Sequence, residues 1–124
     1  MPLLDIERVL PDAATDTAPP GLARTLADAA AKVFGSAPGH TWVRLRTLPQ
    51  SAYAEDGEPG AAAALPVFVT VQHAHPPQGD ALAAQARELT DVLAVVLGCD
   101  PHRVHVQIAP AGAGRQAFGG RLVT

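Results

Sequence analysis

One pattern of apolar residues is laid down twice in this chain, and a duplicated strand, helix, strand leaves few architectures open. In the first half, Leu4 and Ile6 alternate with Asp5 and Glu7, the period of two that marks a half-buried strand. Leu22, Leu26, Ala29, Ala30 and Val33 then recur at helical spacing, with prolines ahead of them and Gly35 beyond, which predicts a helix over about 20–34. TWVRLRTL follows, where Val43 and Leu45 alternate with Trp42, Arg44 and Arg46, and predicts a second strand. The second half repeats the order. PVFVTVQH, from Pro66, is β-branched and predicts a strand. Leu82, Ala86, Leu89, Leu93, Val96 and Leu97 share one side of a helix running from about Asp80, its expected N-cap, to Leu97, with Gly98 as its stop. RVHVQIA supplies the last strand through Val104, Val106 and Ile108. Both halves start a strand with proline, and GSAP at 35–38 is answered by GCDP at 98–101. The chain therefore reads as one domain over 1–124 made of two repeats, about 1–60 and 66–124, joined by the loop EDGEPGAAAA.

A helical crossover between two strands favours parallel pairing. An α/β fold with a four-stranded mixed sheet and two helices on one face follows. Two architectures satisfy it: a ferredoxin-like sandwich and a pseudo-symmetric double βαβ. In either, the second sheet face is bare and carries Trp42. Such a face is expected to expose an apolar patch and to favour self-association.

Composition narrows the function classes. The 124 residues are 48% apolar and 4% aromatic, enough for one modest aliphatic core. A net charge of -3 and a pI near 5.9 argue against nucleic acid or an anionic membrane as partner. The single cysteine, Cys99, excludes an intrachain disulfide and fits a reducing, cytoplasmic setting. No apolar run approaches the ~20 residues of a membrane span, and Asp5, Glu7 and Arg8 interrupt the stretch where a signal peptide would need apolar residues.

Pro2 can be read in two ways. As the first residue of a strand it is simply tolerated there. After loss of Met1, however, it carries a free secondary amine and is able to act as a base. Burial of the cationic form lowers the pKa of such an amine and leaves an unprotonated fraction at neutral pH. Arg44 and Arg46 share a strand face, and either can hold a carboxylate with two parallel hydrogen bonds.

MPLLDIE, TWVRLRTLPQSAYAEDG and AFGGRLV together resemble the tautomerase superfamily, the group that includes 4-oxalocrotonate tautomerase, 5-carboxymethyl-2-hydroxymuconate isomerase and macrophage migration inhibitory factor. Thr41, Val43 and Arg44 match the family's strand, and Gly119 and Gly120 its C-terminal turn. The resemblance spans nearly the whole chain and favours the double βαβ architecture. It implies a homotrimer, no cofactor and no metal, with Pro2 as general base in proton transfer next to a carbonyl. The substrate would be a small carboxylate, a 2-oxo or 2-hydroxy acid. Arg44 falls on the family's strand arginine, and Tyr53 approximates an aromatic position that could donate to an oxyanion.

The chain also departs from the family. Pro11 and Asp12 stand where an early arginine is expected, so a second cation would come from Arg46, Arg8, or Arg115 of a neighbouring subunit. Ser36 stands nearest to the family's helix-end lysine. Pro66 is internal, so its nitrogen is an amide. A hydratase or dehalogenase acting through a protonated Pro2, or a non-catalytic binding or assembly module, remains compatible with these residues. His73 with His75 has a spacing that could hold zinc, but the pair reads better as strand-end surface histidines. Cys99 near His102 resembles a nucleophile pair in composition alone. AGAGRQ lacks the lysine-Ser/Thr ending of a phosphate loop and reads as a turn that places Arg115 and Phe118.

Overall fold

The computed structural model describes residues 1–14, 18–57 and 64–124. Its elements are β1 (Leu3–Leu10), α1 (Leu22–Phe34), β2 (Trp42–Pro49), β3 (Val67–Gln72), α2 (Gly79–Leu97), β4 (Val104–Ile108), β5 (Ala117–Phe118) and β6 (Arg121–Leu122). The first four strands form one sheet in the order β2-β1-β3-β4. Pairing is parallel within each repeat, β1 with β2 and β3 with β4, and antiparallel between the repeats, β1 with β3. This is the α/β arrangement the sequence predicts. A ferredoxin-like sandwich splits each strand, helix, strand unit with another strand, whereas here the two strands of each unit are hydrogen-bonded neighbours. Of the joining loop expected over 55–64, residues 58–63 lie outside the described residues.

The core lies on one side of the sheet. Leu4 and Ile6 of β1, Val67, Val69 and Val71 of β3, and Val104 of β4 point to this side and pack against Leu26 and Ala30 of α1 and Leu89, Leu93 and Ala94 of α2. Alternation makes this possible, because every second residue of a strand faces the helices. Each Leu or Ile so buried contributes about 1.5–3 kcal/mol.

The helix ends show the internal repeat in detail. Gly35 (φ 64°) and Gly98 (φ 65°) both adopt the left-handed conformation that ends a helix. Ser36 N–H then donates to the Ala31 carbonyl at 3.0 Å, and Cys99 N–H to the Ala94 carbonyl at 3.1 Å. The start of α2 differs from expectation. Gln78 is the N-cap and Asp80 lies inside the first turn, where its charge faces the positive end of the helix dipole.

The second sheet face carries Asp5 and Glu7 of β1, Trp42, Arg44 and Arg46 of β2, Phe68 and Thr70 of β3, and His105 and Gln107 of β4. Leu3, Val9 and Leu48 share it, so the face is mixed, with apolar residues beside charged ones. Trp42, 42% exposed, and Arg44, ion-paired with Asp5 of β1, both stand on the edge strand β2.

Candidate active site at the start of the central strand

Pro2 directly precedes β1 and is buried. Its carbonyl accepts a hydrogen bond from the Trp42 N–H at 3.0 Å, which extends the β1–β2 ladder by one residue. Leu3 is the register partner of Trp42 on one side and Gln72 on the other. Continuing both registers by one residue sets Pro2 between Thr41 and His73. Directly opposed residues share a face, so Thr41, Pro2 and His73 form a row on the helix-covered side. The last residue of α1 roofs this row, with the Phe34 ring centroid 5.8 Å from that of His73.

The C-terminal arm closes the same end of the sheet. Gly112 N–H donates to the His73 carbonyl at 2.9 Å and Ala113 N–H to the Ala74 carbonyl at 3.1 Å. A Cβ at position 112 would stand 2.6 Å from Gln116 Oε1 and 3.0 Å from Gln72 Nε2, so a larger residue there would push aside the ends of these two side chains. Gly119 (φ 57°) and Gly120 (φ 85°) make the tight turn between β5 and β6, as two positive-φ residues do in a two-residue hairpin. The hairpin brings Phe118 edge-on to Trp42, with centroids 4.8 Å apart. The Phe-Gly-Gly segment thus braces the strand that hydrogen-bonds Pro2.

His73 is half-buried, and burial first, then the charge of the chain's N-terminal ammonium, hold its pKa below the usual histidine value. Its Nδ1 accepts the His75 N–H at 3.1 Å, which assigns the proton of the neutral ring to Nε2. His75 is exposed, as expected, with its Nε2 3.0 Å from the Thr124 carbonyl oxygen. The expectation of two surface histidines fails for His73 because the antiparallel register turns it toward α1. Across the row, Thr41 is 9% exposed, and its Oγ1 is buried with no partner among the described residues. A hydroxyl in that state costs about 1–3 kcal/mol.

The lowered His73 value has a consequence for stability. Below the ordinary 6.5 the unfolded chain takes up a proton that the folded chain resists, so stability falls as pH drops through the range just under that value. Thermal melts from neutral pH to about pH 5 should show a steeper loss of Tm for wild type than for His73→Phe. Parallel curves for the two proteins would contradict this.

The residues singled out in the sequence are spread more widely. Arg44 is on the opposite face from Pro2, and both arms of its fork are engaged by Asp5, at 2.6 and 2.8 Å. This pairing raises the pKa of the guanidinium. Arg46 is exposed on the same face, farther along β2. Arg115 is exposed on the C-terminal arm, at the Pro2 end of the sheet, with its N–H donating to the Gly112 carbonyl at 2.8 Å.

Tyr53 lies past the far end of β2, so it is not beside the Pro2 of its own chain. Its hydroxyl donates to Glu55 Oε2 at 2.7 Å, and the Arg103 Nη2 donates to the same oxygen at 2.6 Å. The bond to Glu55 pushes the Tyr53 pKa up, and the bonds from Tyr53 and then Arg103 hold the Glu55 carboxyl below its usual value. Arg8 shares the helix-covered face at that far end, its Nε and Nη2 buried without a partner among the described residues. At ~3.3 Å per residue, the six residues from Pro2 to Arg8 span about 20 Å.

The remaining clusters make no site. Among the described residues no group of three or more His, Cys, Asp or Glu side chains could hold a metal ion. The His102 ring bonds Asp100 at 3.0 Å rather than Cys99, and burial pushes the Cys99 thiol up.

The arrangement matches solved structures along almost all of its length. Macrophage migration inhibitory factor from Oncomelania hupensis superposes with a TM-score of 0.68 at 20% identity, covering 98% of this chain and 81% of that one. A fused 4-OT that forms a symmetric trimer gives 0.69 at 20% identity, covering 98% and 94%. The chain has the fold of macrophage migration inhibitory factor and of 4-OT. Pt0534, whose structure was determined after inactivation by 2-oxo-3-pentynoate, gives 0.70 at 14% identity, covering 98% and 94%. At such identities the likeness shows the fold alone. No family model and no curated protein matches the sequence.

Proposed function

We propose that this chain is a cofactor-independent tautomerase, an isomerase that moves a proton next to the carbonyl of a small 2-oxo or 2-hydroxy acid. Pro2 is the base. The observation that carries this reading is the burial of Pro2 at the head of the central strand, in the fold of 4-OT and of macrophage migration inhibitory factor. While Met1 is attached, the Pro2 nitrogen is an amide with no basic lone pair. Cleavage of Met1 turns it into a secondary amine, and its burial favours the uncharged form. The lone pair then takes a proton from the carbon beside the carbonyl, and the proton returns at another carbon or at oxygen.

Cations serve the substrate carboxylate. Arg115 is on the arm at the Pro2 end, and Arg44, on the other sheet face, would serve only a neighbouring protomer's Pro2, by exchanging Asp5 for substrate. Among the described residues, Arg46 and Arg115 are in no ion pair. Tyr53 would join a site only across a protomer boundary.

The fused 4-OT structures are trimers, and a homotrimer with the second sheet face inside is the proposed assembly. Light scattering should give three times the 12.8 kDa chain mass, and a monomer at micromolar concentration would exclude it. A reducing cytoplasmic setting suits the single Cys99. Among the described residues, no helix is long and apolar enough to cross a membrane.

The experiment uses protein whose intact mass shows that it begins at Pro2. Ketonisation of an arylenolpyruvate, followed by its ultraviolet absorbance, should be catalysed. Treatment with 2-oxo-3-pentynoate should stop turnover and leave its mass on the N-terminal peptide. Absence of both turnover and adduct would identify a binding module instead.

A further inference from the structure

Two polar side chains flank Pro2 and take no part in the reaction as described so far. Thr41, Pro2 and His73 lie in one row across β2, β1 and β3, under Phe34. His75 N–H occupies Nδ1 of His73. The other ring nitrogen, Nε2, has no hydrogen-bond partner among the described residues. On the other side of Pro2, the Thr41 hydroxyl is nine-tenths buried and also unpartnered among the described residues. Buried polar groups are nearly always satisfied, so an orphan beside a reactive nitrogen calls for a partner that the chain itself does not supply.

We propose that His73 and Thr41 bind the oxygen on which negative charge develops: His73 donates its Nε2–H, and Thr41 its hydroxyl, to the carbonyl oxygen beside the carbon that Pro2 deprotonates. This rests on the tautomerase reading above. The amine of Pro2 takes the proton, the C–H electron pair forms the new carbon–carbon double bond, and the carbonyl π pair moves onto the oxygen. The two donors hold that oxygen while the Pro2 ammonium returns the proton at a different atom. A neutral imidazole suits the role, since it polarises a carbonyl without surrendering its proton. Several features keep the ring neutral. His73 is half-buried, Phe34 faces it from α1, and the C-terminal arm contacts it through the Gly112 backbone.

The test compares His73→Phe, His73→Gln and Thr41→Val with wild type, each verified by mass to begin at Pro2. Phenylalanine keeps a ring against Phe34 and removes the donor. His73→Phe should lower kcat by ~100-fold or more with KM changed by less than about threefold, the pattern of an interaction made in the transition state. Glutamine retains an N–H and should restore part of the rate, and Thr41→Val should lower kcat about tenfold.

Oxalate, a planar mimic of an enolpyruvate enolate, provides a readout independent of turnover. In protein labelled with 15N, it should shift a histidine Nε2–H resonance that is absent from His73→Phe. Wild-type kcat in His73→Phe, alongside activity lost in Pro2→Ala, would overturn the oxygen-binding pair and leave the tautomerase reading standing. If wild type and Pro2→Ala are equally inactive and oxalate shifts no histidine resonance, both fall together.

Discussion

Pro2→Ala should lower kcat/KM by about 100- to 1,000-fold without abolishing activity, since a positioned base contributes roughly that factor. Alanine at the second position also permits removal of Met1, so the variant still presents an amine at the head of β1. That amine is primary and attached to a freely rotating residue, whereas the proline nitrogen is secondary and held by its ring. Both basicity and aim suffer, while the buried position is kept. The loss corresponds to about 3–4 kcal/mol of transition-state stabilisation, at ~1.4 kcal/mol per factor of ten. Rates for wild type should rise with pH as the Pro2 ammonium loses its proton. Protein that retains Met1 should be inactive, because its Pro2 nitrogen is an amide. Steady-state kinetics on preparations of known intact mass decide the matter, and full activity with Met1 in place would remove Pro2 from the mechanism.

Arg44→Ala should lower kcat/KM for an acidic substrate by ~100-fold, the scale for loss of a charge-assisted contact. Arg44→Lys should recover part of this, since a point charge cannot reproduce the two-pronged fork. The structure adds a condition to this expectation. Asp5 already occupies both arms of the fork, so a substrate carboxylate must displace it. Asp5→Asn removes the competing charge and should lower KM for the acid while Arg44→Ala raises it. Measuring KM for one acidic substrate across the three variants separates the roles. Unchanged kinetics in Arg44→Ala would leave this arginine as a structural partner of Asp5.

The elements were legible in the sequence because their signals are local. Alternation in LLDIE and TWVRLRTL, helical spacing from Leu22 to Val33 and from Leu82 to Leu97, and stops at Gly35 and Gly98 each depend on neighbours within a few residues. The face assignment of Trp42 opposite Val43 and Leu45 follows from the same periodicity. The sequence points to Asp80 as the cap because a glycine that starts a helix leaves no side-chain signal, whereas α2 begins at Gly79 with Gln78 as its cap.

Pro2 was legible as a candidate, which the family resemblance marks, but its neighbours were not. Nothing near His73 in the sequence distinguishes it from His75. Their difference arises when β1 pairs antiparallel with β3, setting His73 beside Pro2 under Phe34 and leaving His75 in solvent. Asp5 meets Arg44 for the same reason, through the parallel register of β1 with β2. That register also carries Tyr53 to the end of the sheet away from Pro2. By itself the sequence determined the four strands and two helices of the main sheet and its cover, and which side of the strand most of their residues face. The tertiary structure decided which faces meet, because strand order and register are chosen by the burial and backbone hydrogen bonding of the whole sheet, over distances that no local periodicity encodes.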